Sequence, residues 1–139
     1  MRWRPSRRAR RVAGGVLLVL VAAFVAPRLG SAPMPPDSAT SEGVLTAFLE
    51  AARHGDCGRA RALTTRSGWQ QIGSLCGSVT AYAIGGEGYR RTNEVGYATT
   101  LTIRGGISVA FHENDHTRFF TLGRDPGGPW RISGGGTGP

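Results

Sequence analysis

The residues best spaced for chemistry are His112-Glu113-Asn114-Asp115-His116, which match the H-E-x-x-H signature of zinc proteases. That chemistry needs a helix, because only there do residues four apart share a face, set two imidazoles on one metal and aim the glutamate at the metal-bound water. The surroundings are those of strands. Ile107, Val109 and Phe111 precede the motif, Phe119, Phe120 and Leu122 follow it, and Asn-Asp is hairpin-turn chemistry. With Asn114 and Asp115 as the two turn residues, Val109 pairs with Phe120 and Ile107 with Leu122, which sends His112 and His116 in different directions. A third ligand is also missing, since the only other histidine is His54. The motif His112, Glu113, His116 is therefore read as a hairpin tip, with no metal and no other cofactor expected.

Cys57 and Cys76 are the only cysteines. They lack the C-x-x-C spacing of a redox pair and have no metal ligands nearby, so the expectation is a structural disulfide across two adjacent helices. Closing that loop contributes roughly 3 kcal/mol in the chain-entropy model. Trp69, Tyr82, Tyr97, Phe111 and Phe120 form a candidate pocket between helix and sheet, weighed against plain core packing. Arg90-Arg91 suits either an anion or the protection of a sheet edge. Asp56 reads as a helix cap and not as a general base. No nucleophile elbow surrounds Ser67-Gly68-Trp69, and Gly134-Gly135-Gly136 has no following helix to receive a phosphate, so it reads as a tail.

The elements that must position these residues change period along the chain. Ser41 is an N-cap candidate, after which Val44, Leu45, Phe48, Leu49 and Ala52 recur at helical spacing until His54-Gly55. A second short helix starts at Asp56 and carries Ala60 and Leu63, and a third runs from about Trp69 to Leu75. Strands are expected over Val79 to Ile84, Tyr97 to Ile103, Ile107 to Phe111, His116 to Leu122 and Trp130 to Ile132, with Glu87 to Thr92 as one more. Turns fall at Gly85-Gly86, Asn93-Glu94, Gly105-Gly106 and Gly127-Gly128. Helices followed by an antiparallel meander predict an α+β domain, its N-terminal helices packed on a curved, cone-like sheet.

Upstream of the domain, six arginines lie in the first eleven residues (Arg2, Arg4, Arg7, Arg8, Arg10 and Arg11), ahead of the apolar run Val12 to Ala26. Fifteen helical residues cover roughly 22 Å, against a hydrocarbon core about 30 Å thick. The segment reads as a retained membrane anchor with its basic end in the cytoplasm, and a cleaved signal peptide is the alternative. In both readings the rest is exported, as a single-pass membrane protein or a secreted one. The prolines of Gly30 to Asp37 make a stiff tether. The organisation is thus a basic n-region (1–11), an anchor or signal segment (12–29), a Pro-rich tether (30–40), an extracytoplasmic domain (41–133) and a Gly-rich tail (134–139).

The formal charge of +8 belongs to the N-terminal segment. From Leu29 to Pro139 ten arginines face nine acidic residues, so the domain is nearly neutral and its charge implies no nucleic-acid partner.

Three stretches carry a resemblance. They are the opening Val-Leu-Thr-Ala-Phe-Leu-Glu-Ala-Ala-Arg-His-Gly-Asp, the Ala-Arg-Ala-Leu helix after it and the closing Gly-Gly-Pro-Trp-Arg-Ile. With the order of elements, they make the span from about Ser41 to Ile132 resemble the nuclear transport factor 2-like superfamily, in its small exported or membrane-anchored actinobacterial form. That resemblance implies helices lying across a strongly bent antiparallel sheet. It does not select a function, because its members include isomerases, dehydratases, binding modules and assembly subunits of secretion machines. No aspartate falls where the isomerases carry their base, so no catalytic residue is carried over. The expectation is a non-catalytic, membrane-anchored binding or scaffold module. Its partner is a small ligand or an envelope protein, with a homodimer through the sheet as a further possibility. The alternatives are a small cone-pocket enzyme, isomerase or hydrolase-like, and an assembly subunit of a cell-envelope or secretion complex.

Overall fold

The computed structural model describes residues 32–104 and 115–138. The basic n-region, the anchor segment, the expected Ile107 to Phe111 strand, His112 and Glu113 lie outside the described residues. Among those described, no helix is long and apolar enough to cross a membrane.

Among the described residues three helices precede the sheet: α1 (Ser41–His54), α2 (Cys57–Ala62) and α3 (Arg66–Ile72), the last running into a 3₁₀ turn (Gly73–Leu75). Each α-helix has a side-chain N-cap. Thr40 accepts from Gly43 N at 3.1 Å, Asp56 from Arg59 N at 3.1 Å and Thr65 from Gly68 N at 3.0 Å. Such caps satisfy amides that the first turn leaves without a partner. Thr40, not Ser41, caps α1; Ser41 is already helical and its hydroxyl is used elsewhere. α1 closes at Gly55, left-handed at φ 72°, whose amide reaches back to the last turn. Arg59 Nη2 also donates to the carbonyl of Pro33 at 2.8 Å, so the Pro-rich stretch is docked on α2 at its first proline.

The sheet is an antiparallel meander of β1 (Val79–Arg91), β2 (Glu94–Ile103), β3 (Asp115–Gly123) and β4 (Arg131–Gly136), paired in that order. Three corrections to the sequence expectation follow. Gly85-Gly86 is not a turn, because β1 runs through it as a bulged strand whose register shifts between Ile84 and Glu87. Gly134-Gly135-Gly136 is not a tail, for these residues form the second half of β4 and pair with Phe119, Phe120 and Thr121. The expected pairing of Val109 with Phe120 is also overturned, since Phe120 sits between Tyr97 of β2 and Gly135 of β4 and has no free edge. Local turn chemistry suggested a hairpin at Asn114-Asp115, but Asp115 belongs to β3 opposite Thr102.

The core lies between the helices and one face of the sheet. Leu45, Phe48, Leu49 and Ala52 of α1 meet Val95, Leu101, Phe120, Leu122 and Ile132, all fully buried. The Phe48 and Phe120 rings are 6.1 Å apart and tilted by 59°, a geometry that aromatic quadrupoles favour. α3 packs on β4 at Gly68, where a Cβ would come within 2.3 Å of the Ile132 carbonyl oxygen. An isolated parallel bridge from Thr64 to Ile132 joins the helical section to the last strand. Cys57 and Cys76 form the expected disulfide, with Cα atoms 5.7 Å apart, and fasten the start of α2 to the end of the 3₁₀ turn.

Candidate functional site

Strand register sorts the helix-facing side of the sheet into three rows. Tyr82, Leu101 and His116 form one, Ile84, Thr99 and Arg118 the next, and Glu87, Tyr97 and Phe120 the third. Period-two alternation puts Tyr97, Thr99 and Leu101 on the same side of β2, and their partners follow. α1 lies across these rows. Ser41 Oγ is 2.8 Å from the Tyr97 hydroxyl, and the Tyr82 hydroxyl donates to Glu50 Oε1 at 2.6 Å. Nine helical residues separate Ser41 from Glu50, about 13 Å of rise. Four strand residues separate Tyr97 from Leu101, again about 13 Å. The two lengths agree, so both ends of α1 are fastened to the sheet by a phenol.

Each phenol belongs to a charged group. Glu50 also takes Arg53 Nη2 at 2.9 Å, with His54 Nε2 3.4 Å away. The hydrogen bond from Tyr82 and then that from Arg53 hold the Glu50 carboxyl below its ordinary range. Burial, reinforced by the bond to Glu50, pushes the Tyr82 phenol up to about 12. At the other end Glu87 receives Arg90 Nε at 2.7 Å and lies 3.4 Å from the Tyr97 hydroxyl. Arg90 lowers the Glu87 carboxyl in turn. Arg90 is thus the partner of Glu87, while Arg91 lies over the Tyr89 ring, 5.9 Å from its centroid. Carboxylates held this low remain charged near neutrality and are poorly matched to general acid or base work there.

The middle row is the least expected part of the sheet. Thr99 is 1% exposed, and its Oγ1 makes no hydrogen bond among the described residues. Directly across the β2–β3 pair stands Arg118, 8% exposed, whose guanidinium burial shifts towards easier deprotonation. Neither residue was singled out from the sequence. The signal for Arg118 was its place in His116-Thr117-Arg118-Phe119-Phe120-Thr121-Leu122, two residues before buried Phe120 and four before buried Leu122. Nothing in the sequence marks Thr99 until the β2–β3 register is known.

The candidate pocket aromatics stand on different elements of the fold. Tyr82, Tyr97 and Phe120 share the helix-facing side, with Tyr97 and Phe120 fully buried and Tyr82 half-buried. Phe120 also borders a groove of about 360 Å³ with Tyr89, Phe119 and the β4 glycines. Trp69 lies on α3, in a separate groove of about 530 Å³ with Arg61, Thr64, Thr65, Arg66 and Gln70. Phe111 lies outside the described residues. His116 stands in β3, while His112 and Glu113 lie outside the described residues. Among the described residues, no group of three His, Cys, Asp or Glu side chains is placed to hold a metal ion.

Compared with models of protein families and with curated proteins, the chain matches none.

Proposed function

We propose that the chain is a membrane-anchored, extracytoplasmic binding module of the nuclear transport factor 2-like kind. It holds a small oxygen-rich ligand between α1 and the middle of the sheet and performs no catalysis. The observation that carries this reading is the Thr99 hydroxyl. A buried polar group without a partner costs roughly 1–3 kcal/mol, and a packed core has no use for it, because valine fills nearly the same volume. A ligand oxygen accepting from Thr99 would remove that cost. Arg118 stands opposite with five donors, enough to serve the fold and a ligand together. Such an arrangement favours a carbonyl, carboxylate or similar acceptor.

The extracytoplasmic placing rests on two supports. The arginine-rich start and apolar run have the form of an anchor whose positive end stays inside. The Cys57–Cys76 disulfide is of a kind that persists in oxidising compartments.

The test is a native mass spectrum of the full chain, released from polyoxyethylene detergent, for the wild type and Thr99→Val. The wild type is expected to carry an added small-molecule mass that Thr99→Val lacks, while the variant melts no lower. Thr99→Val that melts higher, with no added mass on either protein, would make Thr99 an ordinary core residue and sink the reading.

A further inference from the structure

We infer that the groove between α2 and α3 is a second binding site, built for an acidic saccharide. It does not depend on Thr99 or on the interior of the sheet.

Charge is the first observation. Residues 57–86 contain no aspartate or glutamate, yet they carry Arg59, Arg61 and Arg66. Most arginines of the described domain are engaged: Arg53 with Glu50, Arg59 with Pro33, Arg90 with Glu87, Arg91 over Tyr89, Arg124 over Trp130 and Arg131 with the Trp130 carbonyl. Among the described residues the Arg61 and Arg66 side chains make no ion pair or hydrogen bond. Both border the same groove. Two uncompensated guanidinium groups at one concavity repel each other and attract an anion. They also supply planar donor pairs that match a carboxylate or phosphate.

The second observation is the platform between them. Trp69 is half-buried, and its indole rests against Gly73, where a Cβ would lie 2.9 Å from Cε2 and 3.1 Å from Cδ2. Only glycine leaves room for the ring to lie down there. One face of the indole is therefore committed to the protein, and the ring is held in place before any ligand arrives. A fixed aromatic surface needs little ordering on binding, which favours stacking of a ring from the groove side.

The rim selects the kind of ring. Gln70 offers both a donor and an acceptor, and the Thr64 hydroxyl, which donates to the Arg61 carbonyl at 2.8 Å, keeps its lone pairs as an acceptor, which suits a saturated ring bearing several hydroxyl groups. A membrane-inserting wedge would instead present its tryptophan outward, whereas Trp69 is set back on Gly73. The groove volume of about 530 Å³ lies within the usual span of ligand sites.

Calorimetry on the full chain in polyoxyethylene detergent tests this with three probes: trigalacturonate, neutral maltotriose and adenosine monophosphate. Trigalacturonate is expected to bind at least tenfold more tightly than either of the others. The double reversal Arg61→Glu with Arg66→Glu changes only exposed, unpartnered side chains, and should weaken trigalacturonate at least tenfold. Thr99→Val should leave that affinity unchanged, which separates failure of this site from failure of the interior one. Tighter binding of the nucleotide, equal binding of maltotriose, no binding of trigalacturonate, or binding that survives the double reversal would each overturn the inference.

Discussion

The Tyr82 hydroxyl donates to Glu50 Oε1 at 2.6 Å, joining the first strand to the first helix across thirty-two positions of sequence. The bond moves both groups in opposite directions, with Glu50 lowered and Tyr82 raised to about 12, the latter mainly through burial.

A phenol raised in the folded state contributes stability that is complete below its unfolded value near 10 and is lost as pH rises through about 12. An ultraviolet titration of phenolate should therefore show Tyr82 ionising late, together with alkaline unfolding, and Tyr82→Phe should remove that step. Glu50→Gln should bring the midpoint down only part of the way, because burial acts on Tyr82 first. A midpoint unmoved by Tyr82→Phe would assign the late step elsewhere.

At the acid end the sign reverses. Glu50 is lowered in the folded state, so its contribution is present above its ordinary value near 4.5 and is lost as pH falls through the folded value. Thermal melts from neutral to acid pH should fall less steeply for Glu50→Gln than for the wild type.

Ser41 and Tyr97 fasten the other end of α1 through a buried contact of 2.8 Å. Ser41→Ala should cost about 1 kcal/mol, and combining it with Tyr97→Phe should cost less than the sum of the two. Strict additivity in urea melts would show that the pair is not coupled.

Two glycines in neighbouring helices should respond oppositely to alanine. A methyl group added at Gly58 in α2 would meet nothing nearer than Asp56 Oδ1 at 3.9 Å, so Gly58→Ala should gain up to roughly 1 kcal/mol from helix propensity. Gly68 in α3 would meet backbone at 2.3 Å. Overpacking of about 1–3 kcal/mol exceeds the propensity gain, so Gly68→Ala should be the less stable protein. The order of their melting temperatures decides the matter.

Removing the disulfide as Cys57→Ala with Cys76→Ala should cost roughly 3 kcal/mol. For a domain of about 100 residues that is a fall in Tm on the order of 15 °C. A fall of a few degrees would show that the native helical section is held chiefly by its caps and packing.

Much of this fold was legible because local signals agreed. The i, i+3, i+4 pattern of Val44 to Ala52 ending at Gly55 defined α1, and the lone cysteine pair implied its own bridge. Errors arose where glycine carried two meanings. Gly85-Gly86 looks like a turn but serves as a bulge, and Gly134 to Gly136 looks like a tail but serves as a strand, because pairing with β3 decides and pairing is not local. The site was legible only in part for the same reason. Tyr82, Tyr97 and Phe120 were found by residue type, whereas Thr99 and Arg118 matter only through standing opposite each other. Arg61 and Arg66 are ordinary surface arginines until Trp69 is seen resting on Gly73 beside them.

The bridge between Thr64 and Ile132, with Gly68 pressed on the same strand, makes the helices wait for the end of the domain. During synthesis α1 to α3 emerge well before Trp130 and Ile132, which complete the core. The early chain must keep its apolar faces from other partners until β4 arrives, so folding is governed by a late, long-range closure and belongs with the slower topologies. The Cys57–Cys76 link spans only nineteen positions and can form well before that closure, giving the waiting helices a partial shape of their own.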